Sequence, residues 1–275
     1  MLGDVPLDGF TTLYSFWAAL AGYEGPKWER LSTRADEDEV VSLRDEAGGT
    51  VMHWALSDGS RAKLAEVIAA RSAGRVPDVK NKDGFTPLLV AARRGLEGVG
   101  LALLAAGADK EAKDKYGDTP LLLAVRGGHE ALALALVAVG ADKEAKNKAG
   151  DTPLRLATVY GHRALALALL EAGADKEAKH CTGDTPLHLA VGSGREAVAL
   201  ALVAAGADKE AKNIHGSTPL LLAQIQGHEA LALALLAAGA DKDAKNDDGQ
   251  TPMLLAQEMG HTALAAMLTQ AGANR

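Results

Sequence analysis

A Thr-Pro pair recurs at Thr86, Thr119, Thr152, Thr185, Thr218 and Thr251, each 33 residues after the last. A Gly-Ala-Asp triplet keeps step with it at Gly107, Gly140, Gly173, Gly206 and Gly239. No other feature constrains the chain as strongly. A fixed period of this length means stacked copies of one supersecondary unit, because so small a unit cannot bury its apolar face alone.

Local physics builds the unit. Thr119 has the hydroxyl of a helix N-cap, and Pro120 follows at the first helical position, where a missing N–H costs nothing. Leu121, Leu123 and Ala124 give that helix one apolar face, and Gly127-Gly128 ends it. His129-Glu130 opens a second helix that Gly140 closes. A polar run with a glycine near its end, at Gly150, then reads as a hairpin-like loop. Two helices of about nine residues are too short to be stable alone. Their core positions barely change between copies. Leu88, Leu121, Leu154, Leu187, Leu220 and Met253 follow the proline, and Ala91, Ala124, Ala157, Ala190, Ala223 and Ala256 lie three further on.

Gly-x-Thr-Pro-Leu-x-x-Ala, then Gly-His, then Gly-Ala-Asp at this period resembles the ankyrin repeat family. The fold class the resemblance implies is all-α, an ankyrin-repeat solenoid of stacked helix-turn-helix units joined by hairpin loops. Residues 81–275 hold six regular repeats. Residues 45–80 hold a divergent first repeat, seen in Gly48-Gly-Thr-Val-Met-His-Trp-Ala55, and residues 1–44 form an aromatic-rich N-terminal segment. Two departures from the family stand out. Ankyrin hairpins often carry Asn where this chain has Glu111, Glu144, Glu177, Glu210 and Asp243, so asparagine hydroxylation has no acceptor there. The histidine usual after Thr-Pro-Leu remains at His188, the other regular repeats carrying Leu89, Leu122, Arg155, Leu221 and Leu254.

Six of the ten aromatic residues fall in 1–44: Phe10, Tyr14, Phe16, Trp17, Tyr23 and Trp28. Two readings stand. The aromatics seal the apolar end of the stack as a degenerate capping repeat, or Trp17 or Trp28 anchors a partner. Net charge is −7 with no long basic run, which argues against nucleic acid as a partner. Met1-Leu-Gly-Asp lacks the basic start of a signal peptide. Phe10–Tyr23 is too short and interrupted to span a bilayer, so no transmembrane segment is expected. With Cys181 as the single cysteine, no intramolecular disulfide can form, and the chain is compatible with a reducing compartment. The expected location is cytoplasmic, or an organelle whose transit peptide is absent from the sequence.

No catalytic or metal constellation emerges. His129, His162, His228 and His261 share one slot between helices and repeat because the unit repeats. His180-Cys181 and His215 sit on neighbouring hairpins roughly 10 Å apart by helix spacing, too far for one zinc with ligand bonds of about 2.0–2.3 Å. Gly127-Gly128 is no phosphate loop, since neither a strand before it nor Gly-Lys-Ser/Thr after it is present. We therefore expect no enzyme, no cofactor and no metal.

The expected function is a non-catalytic scaffold for protein partners. The resemblance places binding in a concave groove lined by hairpin tips and first-helix ends, and the residues that vary between repeats fall there: Phe85, Arg93, Arg94, Tyr116, Arg126, Val159, Tyr160, Ile214, Ile225 and Glu258. They trend from basic through apolar to acidic, with Lys82 and Lys115 at the start, Gly192 in the middle and Asp247 and Asp248 at the end, while Asp83 and Asp118 dilute the basic end. A second expectation concerns the second helices, which read Glu-Ala-Leu-Ala-Leu-Ala-Leu where charges are usual. Leu101, Leu134, Leu167, Leu200 and Leu233 would form an outward apolar ridge docking the chain into a larger multiprotein assembly or onto a copy of itself. Good helix propensity copied by duplication accounts for the same leucines. A redox or enzymatic role through Cys181 or the N-terminal segment is the weakest alternative. The near-invariant Asp-Lys-Glu-Ala-Lys of each hairpin reads as a solvated, locally neutral ladder.

Overall fold

The structure, a computed structural model, describes residues 50–56 and 78–273. The readings made above for 1–44, and for the divergent repeat beyond its first helix, fall outside the described residues. The chain divides into two compact units at Leu136–Val137.

Among the described residues every regular element is a helix. The first unit holds α1 (Val51–Leu56), α2 (Pro87–Arg94), α3 (Glu97–Ala105), α4 (Pro120–Gly127) and the start of α5 (Glu130–Ala138). In the second unit, α6 (Pro153–Tyr160), α8 (Pro186–Gly192), α10 (Pro219–Gln226) and α12 (Pro252–Glu258) alternate with α7 (Arg163–Glu171), α9 (Glu196–Ala204), α11 (Glu229–Ala237) and α13 (Thr262–Ala273). In the second unit the first helices pack in sequence, α6 on α8, α8 on α10 and α10 on α12, and the second helices likewise, α7 on α9, α9 on α11 and α11 on α13, which makes an inner and an outer row. In the first unit α1 packs on α2 and α2 on α4. The core between the rows is leucine and alanine. Leu154, Leu187 and Leu220 are buried on the inner row, facing Leu169, Leu202 and Leu235 of the outer.

Every Thr-Pro threonine is the N-cap its sequence promises, its Oγ1 accepting the N–H three residues on at 3.2–3.4 Å. Inner helices mostly end on a left-handed glycine, as at Gly95 with φ 67°. A side chain there would also strike the ring of His129, 2.3 Å from an added Cβ. His129 belongs to the following repeat, and its Nε2–H donates to the Arg93 carbonyl at 3.3 Å. His129 thus straps its turn to the turn before it. Arg195, in the same slot of a later repeat, donates through Nε to the Val159 carbonyl, also at 3.3 Å.

The hairpin charges correct the solvated-ladder reading. In Asp-Lys-Glu-Ala-Lys, the aspartate turns back on its own loop, Asp175 accepting the Glu177 N–H at 2.9 Å. The glutamate reaches the next repeat: Glu144, Glu177 and Glu210 accept the N–H of Asp175, Asp208 and Asp241 at 2.8–2.9 Å. Asp78 does the same for Asp109 in the first unit. The lysine also crosses, Lys80 to the Lys113 carbonyl in the first unit, Lys179 to Lys212 and Lys212 to Lys245 in the second. Charge-assisted bonds of this kind outweigh neutral ones. The pentapeptide stays constant because each copy must match the next.

The tether from the histidine after Thr-Pro-Leu is present at His188 and, beyond the single site read from sequence, at His53. His188 Nε2–H donates to the Ser217 carbonyl at 3.0 Å, while its Nδ1 accepts from the Thr185 N–H and hydroxyl at 3.3 and 2.8 Å. His53 bonds Thr50 and the Phe85 carbonyl in the same way.

Candidate functional site

Two slots of the repeat meet on the loop side of the inner row. One is the residue just before the N-cap threonine; the other lies seven residues after that threonine, in the last turn of the inner helix. In the first unit these slots hold Phe85 with Arg93 and Asp118 with Arg126. The Arg93 guanidinium lies 4.3 Å from the centre of the Phe85 ring. Arg126 grips Asp118 in a two-pronged ion pair, 2.6 and 2.9 Å, with the Asp118 side chain 2 % exposed. At the far end of the second unit, Gln250 Nε2–H donates to Glu258 at 2.8 Å.

These contacts redraw the expected basic end. Phe85 is 5 % exposed beneath Arg93 and has almost no surface to offer. Arg126 is already neutralised by Asp118, and Arg94, though exposed, donates to the Leu56 carbonyl. Arg93, Arg94 and Arg126 all stand at inner-helix C-termini, where cations favour the helix dipole. Tyr116 is exposed at its hairpin tip, with Lys115 Nζ 5.2 Å from its ring centre. The pairing of Phe85 with Arg93 and of Asp118 with Arg126 was hidden in the sequence, because eight residues of loop and helix separate the members of each pair.

The middle of the second unit is built differently. The same two slots there hold Asp151 with Val159, Asp184 with Gly192, and Ser217 with Ile225, so no side chain from the last turn of the inner helix reaches back to its partner slot. Asp151 pairs instead with Arg155 within its own helix start, at 2.6 Å. Asp184 accepts from Thr182 Oγ1 at 2.7 Å and from Asn213 Nδ2 at 2.9 Å. Val159 and Ile225 are half-buried, Tyr160 is 47 % exposed, and Ile214 is 60 % exposed at its hairpin tip. Tyr160 stacks on His162 with ring centres 6.0 Å apart. A Cβ added to Gly192 would meet nothing within 4 Å, so this helix end is an open notch between the flanking repeats.

The tips beside this face are tied together. The Ile214 N–H donates to the Thr182 carbonyl at 3.2 Å, and the Asp247 N–H to the His215 carbonyl at 3.1 Å. The approach at Gly183 is close enough that a Cβ would lie 2.9 Å from the Ile214 nitrogen. Tip side chains in one slot run Lys148, Cys181, Ile214 and Asp247, all exposed. The helix-end slot runs Val159, Gly192, Ile225 and Glu258 over the same repeats. Both slots pass to acid at the same end, so the trend read from sequence occurs twice in register within this unit.

His180 replaces the Asn or Asp that elsewhere organises the hairpin, as Asn213 does by accepting the N–H of His215 and Ser217. Cys181 is exposed with Sγ 3.1 Å from His180 Nδ1, and His180 Nε2–H donates to the Ala149 carbonyl at 3.1 Å. Among the described residues, no group of three or more His, Cys, Asp or Glu side chains converges to hold a metal ion. Nor is any helix there long and apolar enough to cross a membrane.

On the outer row, Leu101, Leu134, Leu200 and Leu233 are 38–45 % exposed, and Leu167 less so. Each of these leucines is more than half covered. The outward ridge expected from the sequence is therefore shallower, because neighbouring second helices pack flank to flank.

Rows of paired short helices, capped by Thr-Pro and joined by hydrogen-bonded hairpins, define a helical-repeat protein of the kind that presents a surface rather than a cleft. The family model for ankyrin repeats in three copies matches residues 101–180 and 139–213, and the single ankyrin repeat model matches 83–115 and 215–247. Together these matches cover more than half of the chain, which belongs to the ankyrin repeat family. None of the curated proteins compared with it matches. Ankyrin repeats are modules of protein–protein interaction.

Proposed function

We propose that this chain is a non-catalytic protein-binding module whose recognition face is the open middle of the second unit: Val159, Tyr160, Gly192, Ile214 and Ile225. The partner presents an apolar segment, with basic residues where it passes Asp247, Asp248 and Glu258. One observation carries this reading. The facing slots are closed by the chain's own contacts at Phe85–Arg93, Asp118–Arg126 and Gln250–Glu258, and left open at Asp151–Val159, Asp184–Gly192 and Ser217–Ile225. Exposed Tyr160 and Ile214 supply rigid anchors of the kind that dominate binding energy when buried. The acidic end contributes orientation and rate of encounter more than affinity.

Affinity capture from the native source tests the proposal. Tyr160→Ala combined with Ile214→Asp should lose a partner that wild type retains, whereas Arg126→Gln should keep it. Retention of every partner by the double variant at wild-type levels would refute the assignment of the face.

A further inference from the structure

The outer helices α9 and α11 open on an acidic residue, Glu196 and Glu229, which suits the positive N-terminal end of a helix. In α7 the order is reversed. Arg163 opens it and Glu171 closes it, both against the dipole and both exposed. Among the described residues neither forms an ion pair. Residues 163, 167 and 171 follow one another at four-residue steps and so share one stripe of the helix surface. That stripe reads cation, Leu167, anion; Glu196 of α9 lines the same hollow as Arg163 without forming an ion pair with it.

The complement of this stripe is the same stripe read backwards. A two-fold axis just outside the outer face, parallel to the row and perpendicular to α7 at Leu167, sets Arg163 against Glu171 of a second copy and Glu171 against its Arg163. The same rotation lays α9 on α9 and α11 on α11. Leu200 then meets Leu200 and Leu233 meets Leu233, because these leucines keep one place in the repeat. Between α7 and α9 lies a hollow of ≈ 590 Å³ lined by Arg163, Leu167, Glu196, Ala197 and Leu200, with Ala201 and Ala204 behind. Under the same rotation this hollow faces its own copy, with Leu167 and Leu200 lining it on both sides.

We propose that the outer face of α7, α9 and α11 is a self-docking surface that joins two copies of this chain antiparallel through reciprocal Arg163–Glu171 ion pairs. Three nine-residue helices, each about 13.5 Å long and 8–10 Å apart, cover roughly 400 Å² per copy. The total of about 800 Å² lies under the roughly 1,200 Å² of stable specific interfaces, so the dimer is weak and reversible. The proposal does not depend on the binding face of the inner row.

Sedimentation velocity of the full chain over a concentration series, at low salt, tests it. Wild type should pass from monomer to dimer as concentration rises. Arg163→Glu gives an all-acidic stripe and Glu171→Arg an all-basic one, so each variant alone should stay monomeric. Their equimolar mixture restores both contacts across the axis, and should dimerise at concentrations where each variant alone is monomeric. Circular dichroism and melting temperature confirm that both variants are folded, as substitutions of exposed residues allow. A wild type that is monomeric throughout would overturn the proposal. So would self-association of Arg163→Glu at the wild-type level, or a mixture no more associated than its components.

Discussion

Replacing Gly192 separates stability from recognition. Gly192 is the last residue of α8, has helical geometry, and an added Cβ there meets no atom within 4 Å. Alanine then fits without strain and removes conformational freedom from the unfolded chain, a gain of roughly 0.5–1 kcal/mol. For a chain of this size that is a rise of about 1–4 °C in melting temperature. Arginine has nearly the helix propensity of alanine, so Gly192→Arg keeps most of the gain. It also fills the notch with a long cation beside Val159 and Ile225, where the proposed partner lies. The expected result is a stabilised protein that no longer captures its partner. Urea unfolding, with slope unchanged and midpoint raised, supplies the first half, and affinity capture the second. Loss of stability in Gly192→Ala would refute the open notch, and undiminished capture by Gly192→Arg would refute its role in binding.

Three further outcomes test the architecture. Arg126→Gln removes the two-pronged partner of the buried Asp118 carboxylate and should cost about 2 kcal/mol, less than a fully buried pair because Arg126 is partly in solvent; adding Asp118→Asn should recover most of the loss in urea midpoint. Burial holds the His188 pKa below the ordinary histidine value, against the opposing Ser217 carbonyl bond and the Asp184 charge. The unfolded chain therefore binds the proton more readily, and stability should fall as pH drops below about 6.5. His188→Leu, matching Leu221 of the next repeat, should flatten that slope in pH-dependent urea titrations. Gln224 is buried with neither amide atom hydrogen-bonded, in the slot that holds Val125 and Val191. Gln224→Val should raise stability by about 1–3 kcal/mol, measured the same way.

The repeat architecture was legible because each signal is local and recurs. The Thr-Pro cap, the glycine after the inner helix and the leucine after proline act within a few residues, and six copies in one register leave little freedom. Signals that act between repeats were misread. Glu144 and Glu177 look like surface charges in one copy, and only the neighbouring copy supplies the N–H they accept. Asp118 reads in sequence as diluting the basic end, but its direct pairing with Arg126 does not show, because the two sit eight residues apart across the N-cap, a spacing no helix rule pairs. Leu167 looked as outward as Leu200 because the packing of second helices against each other leaves no trace within one helix. Conversely, the open centre was half visible. Val159, Gly192 and Ile225 stood out as variable, but the missing contact to Asp151, Asp184 and Ser217 is a spatial fact.

Photo-crosslinking tests the central claim most directly. Benzoylphenylalanine is placed at Tyr160, at Ile214 or at Leu200 of the full chain in its native host. The account predicts that positions 160 and 214 capture the same protein through an apolar segment with basic residues toward Asp247. It also predicts that Gly192→Arg abolishes both adducts, and that position 200 yields only the chain itself. Adducts at 160 and 214 that survive Gly192→Arg, or a foreign protein captured at position 200 alone, would contradict it.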